Sequence, residues 1–328
     1  MGNKASFPVV PTSQDRIVMV TGANCGIGYE IAKWTAMMGA TVILACRSEE
    51  KARAAIEKME KEFTEEKARG TSKLTERARL AIEFMKVDLE SFKSVDHFCE
   101  EYKKSGRPLH VLVCNAGIAS IPFMKSEDGL EMILQVNYLS HFLITAKLLP
   151  TMKRSGVDCR IIFVSSTAEK LASFDKESIN YTGSARNYPV HSCYNRSKLY
   201  QVMQMFAMSR RLTGTNITVN SLHPGIVETE IWRYSNSWMT RCLLFFARCF
   251  CVTRTPINGA TCAIDLAVNP EHTGVSGHFW KDCKITSTSR LSRNEEKQEA
   301  LWNASFNFVN EYLTMEEINC MEGENRNI

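Results

Sequence analysis

Arg16-Ile-Val-Met-Val-Thr-Gly-Ala-Asn-Cys-Gly-Ile-Gly28 is the stretch whose reading decides the fold. Its apolar run, Ile17 to Val20, is short and unbroken, which predicts a strand buried on both faces. Glycines at 22, 26 and 28 break the run. Ile31, Ala32, Trp34, Thr35 and Met38 then recur at the spacing of an amphipathic helix. Strand, glycine turn and helix together make a phosphate cradle. Glycine lets the backbone come close to a pyrophosphate, and the helix N-terminus presents free N–H groups and a partial positive charge. An ordinary tight loop is the alternative for any glycine-rich turn; the strand before and the helix after favour the dinucleotide reading.

Outward from this unit, Gly39 closes the helix and residues 41–45 read as a second buried strand. An acidic residue at this strand end accepts the ribose 2′-hydroxyl of NAD. Cys46-Arg47-Ser48 stands there instead, and Arg47 suits a 2′-phosphate. NADP(H) is therefore expected over NAD(H), with Arg47 and Ser48 as candidate contacts. Residues 49–79, dense in charge, read as an exposed helix and a solvated insertion. The third strand, 81–87, ends at Asp88 and Leu89, which are expected beside the adenine. A helix over 91–104 and a fourth strand over 110–114 lead into Asn115-Ala116-Gly117. This alternation predicts a doubly wound, mainly parallel sheet in a single domain, with helices on both faces and ligands at the C-terminal strand ends.

The helix expected from about 127 to 152 has a broad apolar face, including Met132, Ile133, Val136, Leu139, Phe142 and Leu143. Packing against the sheet explains it; a subunit interface is the further possibility, so a homodimer is kept open. Residues 160–166 and 216–222 read as the fifth and sixth strands, and 277–280 as a seventh at the edge.

Four polar groups converge by this topology: Asn137, Ser166, Tyr194 and Lys198. Tyr194 and Lys198, four apart on a helix, share one face. Hydride addition to a carbonyl needs a proton donor in reach of the developing alkoxide. A phenol, with a pKa of about 10, is ordinarily too weak. A lysine cation one turn away favours the phenolate and is expected to bring that value down. Lys198 can also hold the nicotinamide ribose, Ser166 can bond the carbonyl oxygen, and Asn137 can position Lys198 through a water. Each element alone has a dull explanation; their conjunction in this order is what points to redox chemistry.

The chain resembles the short-chain dehydrogenase/reductase family of the non-extended type. The resemblance rests on Thr21-Gly-Ala-Asn-Cys-Gly-Ile-Gly28, Asn115-Ala-Gly117, Asn137, Ser166, Tyr194-x-x-x-Lys198 and Pro224-Gly225 with Thr229, across about residues 15–285. Leu44-Ala-Cys-Arg47, Val136-Asn-Tyr-Leu-Ser-His-Phe142 and Leu222-His-Pro-Gly-Ile-Val-Glu-Thr229 are similar to the retinol dehydrogenase branch and the related WW-domain oxidoreductases. The resemblance implies a Rossmann-type sheet of seven strands, with Tyr194 as proton donor or acceptor, Ser166 on the substrate carbonyl, and Lys198 and Asn137 completing the relay. It implies cofactor contacts from Thr21, Gly22, Asn24, Cys25, Gly26, Ile27 and Gly28 on the turn, and from Asn115, Ala116 and Gly117. Pro224, Gly225, Val227 and Thr229 would cover the nicotinamide. Two departures stand out: Cys114 replaces a frequent second asparagine, and the stretch from Ser166 to Tyr194 is long, which remodels the substrate entrance. The membrane helix common at the N-terminus of the retinol branch is not found in the leader, which makes a retinoid less expected as substrate.

The expected activity is NADP(H)-dependent hydride transfer to or from a small lipophilic carbonyl or alcohol, of the retinoid, steroid or lipid-aldehyde class. A non-catalytic dinucleotide-binding scaffold or redox sensor is the alternative; it has no need of both Tyr194 and Lys198. An extended-family epimerase fits poorly, because its glycine spacing is Gly-x-x-Gly-x-x-Gly, against Gly22-x-x-x-Gly26-x-Gly28 here.

Composition narrows the classes further. At 328 residues and 44% hydrophobic, the chain can bury one full α/β core. A net charge of +4 with no basic block speaks against nucleic acid. Twelve cysteines are scattered without C-x-x-C or a metal-ligand spacing, so no metal is expected and a reduced cytoplasmic chain is. No stretch reads as a bilayer span. Residues 1–14 form a polar leader whose Met1-Gly2-Asn3-Lys4-Ala5-Ser6 fits the pattern for myristoylation of Gly2. The apolar stretch at 238–252, within a substrate lid placed at about 230–252, would supply a second, peripheral membrane contact. Residues 286–328 are expected to form a C-terminal helix and a loose tail beyond Leu313.

Overall fold

The computed structural model describes residues 9–227 and 253–323. The acylation motif at Gly2, the lid at 230–252 and Thr229 lie outside the described residues. The opening stretch folds as read: β1 (Ile17–Thr21) is buried throughout, and α1 (Gly26–Met37) follows the glycine turn. Next come β2 (Thr41–Cys46), α2 (Glu49–Ala68), β3 (Ile82–Lys86), α3 (Phe92–Lys104) and β4 (Val111–Cys114). Helix α4 spans Met132–Lys153, β5 is Cys159–Val164, α5 is Val190–Arg211 and β6 is Ile217–His223. Two short strands, β7 (Ile226–Val227) and β8 (Thr253–Arg254), pair with each other outside the main sheet. Helix α6 (Pro256–Val268), strands β9 (Phe279–Lys281) and β10 (Lys284–Ile285), and helices α7 (Glu295–Val309) and α8 (Met315–Glu322) complete the described chain.

The main sheet runs in the order β10-β9-β6-β5-β4-β1-β2-β3, parallel except for the last pairing, β9 with β10. The direction of winding reverses between β1 and β4, which opens a crevice at their C-terminal ends. The sheet has eight strands rather than the seven expected. Asp282 and Cys283 both take positive φ, +55° and +56°, the pattern of a type I′ hairpin turn, and fold a two-residue strand back on the edge. Two apolar clusters, one on each sheet face, form the core.

Helix α4 begins at Met132 rather than near 127. By length and composition it passes as a bilayer span, contrary to the sequence reading, yet its apolar 18-residue stretch is wholly buried within the domain. Every residue from Ser140 to Pro150 is buried, against α3, α5 and α8. Its apolar face is thus consumed inside the chain, and no free stripe along it remains for a second subunit.

The expectation of a loose tail beyond Leu313 is corrected through Glu322. Thr314 and Glu317 form a reciprocal capping box that starts α8. Glu317, only 2% exposed, takes an ion pair from Lys103 at 2.7 Å, and Met321 is buried. Lys147 of α4 reaches Asp96 at 2.6 Å and Glu100 at 2.8 Å in the same cluster. These few contacts hold an otherwise polar segment down.

Candidate active site

A cleft of about 330 Å³ runs along the crevice from the glycine turn to the Tyr194–Lys198 helix. Gly22, Asn24, Cys25, Gly26, Ile27 and Gly28 line one wall. Gly28 shows why glycine is needed: a Cβ there would lie 2.4 Å from both Asn115 Nδ2 and Gly22 O. Asn115, Ala116, Gly117 and Pro224 line the opposite side, and Asp88 and Leu89 the far end.

Thr21 lies one layer beneath. Fully buried, its hydroxyl accepts from the N–H groups of Asn115 (2.9 Å) and Ala116 (3.0 Å) and contacts His141 Nε2 at 3.0 Å. Asn115 Nδ2 in turn donates to Thr21 O at 2.8 Å. Thr21 therefore braces the β1 and β4 turns against each other and does not line the cleft. Burial holds His141 neutral, with its pKa lowered to about 4. Gly225 and Val227 also fall outside the cleft lining; Arg254 packs directly over Gly225.

At the adenine end, Arg47 and Ser48 line the cleft together with Lys51 and Glu90, which the sequence reading missed. Ser48 caps α2 by accepting from Lys51 N at 3.3 Å. Arg47, 59% exposed, is ion-paired to Glu90 and lies 3.8 Å from Asp88. The strand end thus carries two cations and two carboxylates, not one free arginine. Lys51 was legible as the cation one turn into the helix that Arg47 precedes; Glu90 comes from a different strand end and no local pattern flags it.

Tyr194 and Lys198 project from α5 into the cleft, with Lys198 Nζ 5.7 Å from the phenol ring centre. Ser165 fixes this helix to β5 by donating to Lys198 O at 2.8 Å. Ser166 follows at the end of β5, caps the next turn by accepting from Ala168 N at 3.1 Å, and hydrogen-bonds the Tyr194 side chain. Lys198, 3% exposed, donates to Val164 O at 3.0 Å and to Gln201 Oε1 at 3.2 Å.

The acid–base balance departs from the expectation. Burial raises the Tyr194 phenol to about 12, with the Ser166 hydrogen bond working against it. Burial also lowers Lys198 to about 7, and among the described residues no carboxylate accompanies the ammonium into the interior. The lysine that was to acidify the phenol has itself lost much of its hold on a proton. At neutral pH the phenolic proton stays on Tyr194.

Asn137 sits in a π-helical turn, Gln135–Leu139, inside α4. Such single turns of i→i+5 bonding occur preferentially at functional sites. Its side chain accepts from Ile118 N at 2.8 Å and donates to Ile118 O and Ser197 Oγ, each at 3.0 Å. The amide is spent on holding the β4 exit loop to α5, and does not reach into the cleft. What Asn137 offers toward Lys198 is its main-chain carbonyl, which accepts from Gln201 Nε2 at 2.9 Å. The Gln201 side chain thus links the Asn137 carbonyl to Lys198.

Comparison with known proteins agrees with the fold. The family model for short chain dehydrogenases matches residues 16–240. Human retinol dehydrogenase 14 is 37% identical over 290 residues, covering 88% of this chain and 85% of the relative. Human polyprenol dehydrogenase is 34% identical over 303 residues, covering 91% and 86%. A solved structure of an uncharacterized protein from Mycobacterium paratuberculosis superposes with a TM-score of 0.69 at 25% identity, covering 92% of this chain and 96% of that one. The chain belongs to the short-chain dehydrogenase/reductase family of oxidoreductases, whose members bind a nicotinamide dinucleotide.

Proposed function

We propose that the chain is an NADP(H)-dependent oxidoreductase that moves hydride between nicotinamide and a lipophilic carbonyl or alcohol. The observation that carries this reading is the single cleft that joins the glycine cradle and Arg47 at one end to Tyr194 and Lys198 at the other. The cradle suits a dinucleotide, because Gly22, Gly26 and Gly28 line the cleft where α1 begins and leaves backbone N–H groups free for an anion. Gly22 to Gly28 and the start of α1 would hold the pyrophosphate, and Arg47 with Lys51 a 2′-phosphate. When bound, the dinucleotide supplies or accepts the hydride.

The chain's own residues do the rest. Ser166 hydrogen-bonds the substrate oxygen and orients the carbonyl toward Tyr194. Tyr194, protonated at neutral pH, delivers its proton to the oxygen as the carbon takes up hydride. Lys198 stabilises the phenolate left behind, and the reverse sequence oxidises an alcohol. Keeping the proton on Tyr194 suits reduction at neutral pH. Support for a lipophilic substrate comes from the relatives named for retinol and polyprenol.

NADPH oxidation against a panel of retinal, steroid and aliphatic or aromatic carbonyls tests the reading. Turnover of none of them, with NADPH still bound, would turn the assignment to a dinucleotide-binding scaffold. We place the chain in the cytoplasm with a peripheral membrane contact through an acylated Gly2, on the strength of the Met1–Ser6 pattern. That placement fails if Gly2→Ala leaves the membrane-bound fraction unchanged.

A further inference from the structure

Gln201 lies three residues beyond Lys198 on α5 and is fully buried. A buried carboxamide has to satisfy both ends, and here each end has one partner. Oε1 accepts from Lys198 Nζ at 3.2 Å, and Nε2 donates to the Asn137 carbonyl at 2.9 Å. The chemistry forces this orientation, because flipping the amide would set NH2 against an ammonium and carbonyl against carbonyl. Gln201 is therefore a strut between the π-turn of α4 and the lysine of α5.

The strut decides where the lysine points. An ammonium carries three hydrogens. Val164 O takes one and Gln201 Oε1 another, which leaves one for the cleft. The Asn137 side chain cannot do this, since Ile118 and Ser197 use it up. We propose that Gln201 is a positioning residue for hydride transfer, fixing Lys198 so that its remaining N–H faces the dinucleotide ribose and Tyr194. It joins Asn137 to Lys198 through its own side chain.

Electrostatics gives the role a signature. Among the described residues, the titratable groups facing Lys198 are Tyr194 on its own helix, His141 on α4 and His223 at the end of β6. Burial keeps both histidines neutral, with pKa values lowered to about 4. Among the described residues no carboxylate faces the ammonium, and the carbonyl dipoles of Val164 and Gln201 are what favour its charged form.

This inference rests on the proposed oxidoreductase reading for its catalytic meaning, and its test is chosen to separate the two. Lys198 is titrated in the full chain by carbon-13 NMR of labelled lysine, its resonance assigned by its loss in Lys198→Met. Gln201→Met conserves volume but removes the acceptor, and Gln201→Leu does the same with a different shape. In both variants the Lys198 midpoint should fall by about one unit, and turnover should fall about tenfold with the KM for carbonyl little changed. A purely structural role would lower the melting temperature and leave the midpoint where it is. An unchanged midpoint in the folded variants overturns the proposal. A shifted midpoint in a chain that reduces no carbonyl would leave the strut standing and remove the enzymatic reading instead.

Discussion

The arginine at the end of β2 offers the most exacting test of the cofactor assignment, because the structure shows it already engaged. Arg47 is paired with Glu90, and Asp88 lies 3.8 Å away. Binding a 2′-phosphate means giving up the carboxylate. A charge-assisted hydrogen bond contributes roughly 1.5–3 kcal/mol. An exposed ion pair of the Arg47–Glu90 kind is worth roughly 0.2–1 kcal/mol. The middle of that difference, roughly 1–2 kcal/mol, corresponds to about a five- to thirtyfold preference for NADPH over NADH. Arg47→Ala should abolish that preference. Glu90→Gln should act in the opposite direction, raising it by up to about fivefold at low salt and less at high salt. The assay is nucleotide fluorescence, with dissociation constants for NADPH and NADH at two ionic strengths, which requires no knowledge of the substrate. If Arg47→Ala leaves the ratio intact, the 2′-phosphate is held elsewhere, and Lys51 is the next residue to test. A fall in the ratio for Glu90→Gln would refute the competition itself.

Three other outcomes are expected. Tyr194→Phe should reduce turnover by about 10²–10⁴ while NADPH affinity stays the same, measured by steady-state rates beside fluorescence titration; activity within a few-fold of the parent would exclude Tyr194 as proton donor. Carbonyl reduction should decline as pH rises through about 7, where Lys198 loses the charge that stabilises the phenolate left on Tyr194. Alcohol oxidation should instead climb toward alkaline pH, because Tyr194 must first give up a proton held to about 12. These limbs belong to the Tyr194–Lys198 pair as a unit, and forward and reverse rates across pH would show parallel profiles if the assignment is wrong. Gly28→Ala would place a methyl 2.4 Å from Asn115 Nδ2 and Gly22 O, so either the turn or Asn115 must move. Nucleotide binding should be lost with the far-ultraviolet circular dichroism unchanged, and retained affinity would show that the cradle tolerates the shift.

Local patterns in the chain were enough for the class of fold and for many of the residues that line the cleft. Short unbroken apolar runs, glycines at 22, 26 and 28, and a tyrosine and lysine one helical turn apart are local patterns, and local geometry follows from them directly. They did not determine how burial would set the chemistry. Nothing near Lys198 in the chain announces how deeply it is buried, so its weakened hold on a proton appears only once β5, α4 and α5 close around it. Gln201 was equally silent: a glutamine on a helix is unremarkable until the π-turn of α4 brings the Asn137 carbonyl within 2.9 Å. The same holds at the other end of the cleft, where Glu90 meets Arg47 from a neighbouring strand, and at the C-terminus, where Glu317 meets Lys103 of a helix more than two hundred residues away. Periodicity and spacing report what neighbours along the chain can do. Proton affinity, ion pairing and the direction of a buried ammonium depend on groups distant in sequence, and only the packed structure sets those distances.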